Sequence, residues 1–268
     1  MASSQIEQGV PVRSPQPPNE GKYADVDLEA RYSSARVGGD FFDCVSVGSH
    51  ILFLLSDMAG RRIVADPIAA EVQDTFRRKG TDLFGAANVN ESEAIAELVH
   101  EVNASLMSAA DGVHYAPTFF GCYNLPISVL TYINAGGQAA LFRDGDGTRA
   151  LENGGMPLGL FTHMTHEPAV QAFEPGARML LVTKGVIDSA RGRGRFGVER
   201  LTTLLRESKA DSAEELCDAT LQAVAAFKKG GDSLIGNFLS KKPKNGGDMT
   251  AVVMLRSLPD GRTRTKHS

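Results

Sequence analysis

Apolar and polar positions alternate along residues 23–32, the period-two pattern of a half-buried strand. Residues 41–47 and 51–56 follow as two more strands around a short Gly48-Ser49-His50 turn, so the pair reads as a hairpin with one wholly apolar member. The period then changes. Pro67 suits a first helical turn, Ile68, Val72, Thr75 and Phe76 recur at helical spacing, and Gly80 marks the predicted stop. Residues 92–107 predict a second amphipathic helix with Ile95, Leu98, Val99, Val102 and Leu106 on one face.

From Phe119 onward, short β-branched or aromatic runs occupy residues 119–124, 129–134, 139–143, 169–173 and 179–183, separated by Gly- and Asp-rich turns. Helical spacing returns in residues 198–206 and 213–227, and a last strand covers residues 250–255. Strands and helices segregated in this way favour an α+β fold, because antiparallel strands need only short links. Two sheets packed face to face with helices outside would bury every apolar face. Residues 230–247 read as a Gly/Lys-rich loop with an apolar island at Leu234, Ile235, Phe238 and Leu239, and no internal repeat is evident.

Composition narrows the partners. The 268 residues, 42% hydrophobic and 22% charged, are those of an ordinary globular chain with room for one large domain. A formal net charge of −4 argues against nucleic acid or an anionic membrane as partner. Cys44, Cys122 and Cys217 lie far apart without metal-ligand spacing and read as buried hydrophobes. No apolar run approaches the roughly 20 residues of a membrane span. Residues 1–21, with Pro11, Pro15, Pro17 and Pro18, lack the order of a secretory signal and read as a flexible leader; the expected address is cytoplasmic.

Candidate chemistry begins with Asp57, which ends the apolar run Ile51-Leu52-Phe53-Leu54-Leu55-Ser56. A carboxylate there needs a partner, a hydrogen bond or a cation. Asp40 stands at another strand entrance, after Gly38-Gly39. Two converging aspartates suit Mg2+ or Mn2+, which take oxygen ligands; equally, aspartates cap turns and helix N-termini.

Several motifs bear on this choice. Val37-Gly38-Gly39-Asp40-Phe41-Phe42-Asp43 followed by Ser56-Asp57-Met58-Ala59-Gly60 resembles the paired opening motifs of PPM-type, metal-dependent serine/threonine phosphatases of the SpoIIE branch. Asn134-Ala135-Gly136-Gly137 is similar to that family's Asn-Ala-Gly-His turn, and Pro157-Leu158-Gly159 to its Pro-Leu-Gly. The segment from Pro175 ending Val182-Thr183-Lys184-Gly185-Val186 resembles the one ending Tyr-Thr-Asp-Gly-Val. Phe196-Gly197 with Arg200-Leu201, and Gly247-Asp248-Met249-Thr250, fall where the family has Phe-Gly with Arg-Leu, and Asp-Asp-Met/Ile-Thr. The resemblance implies an αββα sandwich over residues 22–257, with residues 258–268 as a polar tail.

It also implies a chemistry in which two metal ions activate a water that attacks the phosphorus of a phosphoserine or phosphothreonine. By position, Asp57 would bridge the ions, Met58 would lend its carbonyl and Asp40 would hold the second ion. Asp43, three positions from Asp40, would face the opposite side and support, with Gly39, Gly60 and Thr250 in similar roles. The departures are as informative. Lys184 and Gly247 replace two ligand aspartates that serve the same ion, while Asp188 and Asp248 align with neighbouring family positions and are not expected to restore it. The expectation is at most one Mg2+ or Mn2+, or none. It follows that the chain is either a phosphatase of low or lost activity or a pseudophosphatase that binds a phosphoprotein or regulatory partner.

For Lys184 two readings stand: an ammonium that neutralises Asp57, or a stem that reaches solvent. Arg191-Gly192-Arg193-Gly194-Arg195 reads as a solvated basic turn or a phosphate holder, Lys241, Lys242 and Lys244 as solubilising, and His163 and His166 as members of a surface loop.

Overall fold

The structure, a computed structural model, describes residues 25–33, 39–58, 62–109, 115–152, 154–230 and 248–258. The leader, the tail beyond Leu258, the 231–247 stretch, Gly60 and Gly247 lie outside the described residues. Two five-stranded antiparallel sheets carry the fold. One contains β2 (Gly39–Val47), β3 (His50–Met58), β4 (Thr118–Asn124), β5 (Val129–Ala135) and β8 (Ala169–Ala172), hydrogen-bonded in that order. The other runs β1 (Val26–Ser33), β12 (Met249–Arg256), β9 (Arg178–Val182), β6 (Ala139–Asp144) and β7 (Gly147–Ala150). The paired helices α1 (Arg62–Phe84) and α2 (Glu91–Ala109) cover the first sheet. The short α3 (Lys184–Ile187), α4 (Gly197–Glu207) and α5 (Ala213–Lys229) cover the second, giving the expected αββα order.

The alternation in the strands explains the layering. In β3, Ile51, Phe53 and Leu55 enter the layer between the sheets, while Leu52, Leu54 and Met58 pack under α1 and α2. In β4, Phe119 and Tyr123 face inward and Phe120 and Cys122 outward, so both faces of these strands are dry. Three apolar layers result, and each contains one cysteine: Cys122 beneath α1 and α2, Cys44 between the sheets, and Cys217 on the buried face of α5 against the second sheet. All three thiols are free and buried, and burial pushes each above its ordinary pKa.

Several boundaries differ from expectation, each for a local reason. α1 begins at Arg62, ahead of Pro67, and continues to Phe84 rather than stopping at Gly80. Gly80 serves close packing instead: a Cβ there would meet Leu52 Cδ1 at 2.9 Å, so the residue lets the helix approach β3. α2 starts at Glu91, where Asn90 Oδ1 accepts from the Glu93 N–H at 3.4 Å. β7, α3 and the hairpin of β10 (Ala190–Arg191) and β11 (Gly194–Arg195) are too short to leave a period, and the hairpin occupies what read as a basic turn. The surface-loop reading holds for His163 but not for His166, which is buried with its ring hydrogen-bonded to the Met156 carbonyl at 2.9 Å. Among the described residues, no helix is long and apolar enough to cross a membrane.

At the middle of the interlayer, Phe53, Phe119 and Tyr132 stack in series. Gly121 of β4 makes room for this stack, since a Cβ would lie 2.1 Å from Phe53 Cζ, an atom of a ring that is fully buried. Gly121→Ala should therefore overpack the layer and destabilise the protein by about 1–3 kcal/mol, read as a lower urea midpoint with an unchanged slope. An unaltered midpoint would mean that the ring moves aside freely.

Candidate metal centre

Strand parity decides which polar side chains meet. The inward row Ile51, Phe53, Leu55 on β3 ends in Asp57, and on β2 Asp40 precedes the inward-facing Phe42 and Cys44. From the opposite sheet, Thr183 lies two places beyond Leu181 and Thr250 two places before Val252. One end of the dry interlayer is thus closed by a polar cap drawn from both sheets.

Asp40 and Asp57 are direct cross-strand partners. Asp40 Oδ2 accepts two hydrogen bonds from the other sheet, from Thr183 Oγ1 at 2.6 Å and Thr250 Oγ1 at 3.0 Å. The Thr183 hydroxyl accepts from the Thr250 N–H at 3.1 Å, which fixes its direction. Asp57 is held through its backbone, whose N–H donates to the Pro117 carbonyl at 2.9 Å, and its Oδ2 accepts from the Lys184 N–H at 3.1 Å.

Burial is the main influence on both carboxyls. It raises Asp40 to about 7, aided by the charge of Asp57 and opposed by the two threonine hydroxyls. Burial raises Asp57 as well, against the Lys184 N–H, a hydrogen bond with Asp40 and the Lys184 charge. Both shifts run in the direction that favours a proton shared by the pair. Asp248 adds like charge to both, and its two oxygens are buried without a hydrogen-bond partner among the described residues.

An orphaned buried carboxylate beside a proton-sharing pair is what a divalent cation would relieve, and an all-oxygen donor set suits Mg2+ or Mn2+. Among the described residues, however, no three His, Cys, Asp or Glu side chains converge closely enough to hold a metal ion between them. Any ion there would draw most of its ligands from backbone and water.

The other residues singled out from the sequence are placed as follows. Met58 ends β3, and its carbonyl oxygen is so close to β2 that a Cβ on Gly39 would meet it at 2.2 Å. Asp43 faces away from the cap, fully buried under α1, where Arg77 grips it through Nε to Oδ2 and Nη2 to Oδ1, both at 2.7 Å. Lys184 touches Asp57 directly through its backbone N–H, and its side-chain charge acts on Asp57 without an ion pair between them among the described residues. Its ammonium is on a side chain 72% exposed, 3.8 Å from Asp188 Oδ2, so of the two sequence readings the geometry is that of the solvent-directed stem and not the buried counter-ion. Asp188 follows α3 outside the cap and pairs with Arg195 at 2.8 Å.

Sequence reasoning passed over Thr183 and Arg77. The signal for Thr183 was its parity with Leu181 at the end of an apolar strand; Arg77, next to Phe76 on the buried face of α1, left none.

The proton on Asp40 sets a pH dependence for the ion-free protein. Its carboxyl rises from 3.8 to about 7 on folding, so the folded state binds more protons than the unfolded state in that interval. Stability should fall as pH climbs from about 4 to about 7 and level off above. Comparing Asp40→Asn with the parent by thermal melting in EDTA at about pH 5 and about pH 8 should show the parent losing more stability between them. Parallel losses in the two proteins would contradict this assignment.

The comparisons with known proteins agree with this architecture. A family model described as Stage II sporulation protein E (SpoIIE) matches residues 48–235. Phosphoserine phosphatase RsbP of Bacillus subtilis (strain 168) is 23% identical over 166 residues, 61% of this chain and 40% of RsbP, so the chain spans about two-fifths of that relative's length. Among solved structures, the RsbU and RsbW domains of Rv1364c from Mycobacterium tuberculosis superpose with a TM-score of 0.69 at 21% identity, covering 88% of this chain and 61% of that one. The PP2C phosphatase domain with a regulatory fragment of SpoIIE from Bacillus subtilis gives 0.67 at 15% identity, covering 86% and 63%. The structural likenesses establish the fold, and the family match extends over more than half of the sequence, including Asp57 and Lys184: the chain belongs to the SpoIIE family of PPM-type serine/threonine phosphatase domains.

Proposed function

We propose that residues 22–257 form a phosphatase-type domain directed at phosphoserine or phosphothreonine proteins, whose centre holds at most one Mg2+ or Mn2+ and hydrolyses phosphomonoesters weakly or not at all. The observation that carries this reading is Lys184. Where the family resemblance places a ligand aspartate, this residue presents a backbone N–H to Asp57 and sends a cation to the rim. Gly247 removes the other exclusive ligand of the same ion. The phosphoserine chemistry in the name of the relative RsbP supports the choice of substrate class.

Asp57, Asp40 and the Met58 carbonyl would hold the ion. When bound, it would lower the pKa of a coordinated water and stabilise charge on phosphoryl oxygens. The chain's own contribution is positional. Thr183 and Thr250 fix Asp40, the Pro117 carbonyl fixes the backbone of Asp57, and the proton shared by the two carboxyls must leave for a cation to enter. Asp248 supplies further negative charge to the same pocket.

A second reading, a partner-binding pseudophosphatase, is favoured by a separate observation. Asp40 Oδ2 and Asp57 Oδ2 already have internal hydrogen-bond donors, so the cap is satisfied in part without any ion. Turnover of a phosphoserine peptide in Mn2+ separates the two.

Calorimetric titration with Mn2+ should find no more than one site, and Lys184→Asp combined with Gly247→Asp should add a second, accompanied by a Mn2+-dependent rise in melting temperature. Two sites in the parent protein, or robust turnover that Asp57→Asn abolishes, would overturn the one-ion reading.

A further inference from the structure

The rim outside the Asp40–Asp57 pair carries cations that ion binding leaves unused. Lys184 leaves the backbone where its N–H meets Asp57, and its ammonium emerges 3.8 Å from Asp188 Oδ2. The other oxygen of Asp188 accepts from Arg195 Nη1 at 2.8 Å, on a side chain 68% exposed. One carboxylate therefore lies between two cationic heads. It neutralises one and leaves about one unit of positive charge, to which Arg191 and Arg193 of the same exposed hairpin add.

The arrangement is anchored by backbone rather than by two free side chains. The Asp188 N–H donates to the Lys184 carbonyl at 2.8 Å, and the Phe196 N–H donates to the Ser189 carbonyl at 2.8 Å. Arg200 Nη1 donates to the carbonyls of Arg195 at 3.1 Å and Phe196 at 3.0 Å, tying the hairpin to α4. α3 and the β10–β11 hairpin thus hold one head against each oxygen of Asp188, and the backbone N–H of Lys184 ties this rim to Asp57.

We propose that Lys184 and Arg195, set apart by Asp188, form a metal-independent site for the phosphate of a phosphoserine or phosphothreonine segment, an inference that rests on the phosphoprotein reading above. A phosphate ester carries a charge of about −1.5 to −2 at pH 7 and three strong acceptor oxygens, enough to engage both heads at once. Arg195 offers the N–H groups of its guanidinium that Asp188 leaves open, and Lys184 supplies a compact point charge. The residue that displaces a metal ligand thereby provides positive charge of its own, so phosphate recognition does not require the ion.

The test uses the full chain in EDTA, with a phosphoserine peptide, its unphosphorylated counterpart and inorganic phosphate as probes, followed by calorimetry or fluorescence anisotropy. The phosphopeptide should bind at least tenfold more tightly than the unphosphorylated peptide, and inorganic phosphate should compete. Lys184→Ala and Arg195→Ala should each weaken binding on the order of tenfold, Lys184→Arg should retain most of it, and Arg193→Ala at the hairpin turn should change it less than about twofold. Unchanged melting temperatures would show that the exposed substitutions leave the fold intact. Equal losses from Arg193→Ala and Lys184→Ala would overturn the site in favour of diffuse charge. Binding that appears only with Mn2+ and ignores Lys184 would overturn it while keeping phosphate recognition at the ion, and no binding with or without Mn2+ would overturn both readings.

Discussion

A carboxylate at the end of a dry layer must be satisfied, and here that requirement joins the two sheets. Asp40 belongs to one sheet and takes hydroxyl hydrogen bonds from two residues of the other, one at the end of β9 and one within β12. Asp57 does the same with the first N–H of α3. Elsewhere the sheets meet through Phe53, Phe119, Tyr132, Phe142 and their aliphatic neighbours, contacts that are strong but directionless. The polar cap supplies the direction. Any slip of one sheet along the other would strand Asp40 among apolar side chains, so the geometry that could hold an ion is also the geometry that registers the sandwich.

Much of this could be read from residue order. Unbroken apolar runs in β3 and β4 announce strands dry on both faces, and two such faces require covering layers on both sides. The inward direction of Asp57 follows from counting in twos from Phe53. What could not be read were features decided by contact between distant segments. Gly80 looks like a helix stop until Leu52 is seen against it, and Asp43 looks like a neighbour of the site until Arg77 is found beneath it. Thr183 and Thr250 are 67 residues apart and meet only because β9 and β12 pair.

Lys184 illustrates how a side chain and its backbone can do separate jobs. Sequence logic treats the residue as a substituted ligand and asks where its charge goes. In the fold, the amide of the same residue completes the hydrogen bonding of Asp57, a role any non-proline residue could fill, and the ammonium belongs to a different neighbourhood with Asp188 and Arg195. The polar cap faces inward and the cationic rim outward, with one residue contributing to each.

The three thiols have a use that composition alone would not suggest. Each apolar layer contains its own cysteine, sealed from solvent and poorly ionised, with Cys44 raised to about 12. A thiol-reactive reagent can reach such a group only when its layer parts. The chain therefore carries built-in reporters for stepwise opening: modification at Cys122 records separation of the first helix pair, at Cys44 separation of the sheets, and at Cys217 departure of α5. Peptide mapping after brief labelling would resolve the order in which the sandwich comes apart, with no engineered label needed.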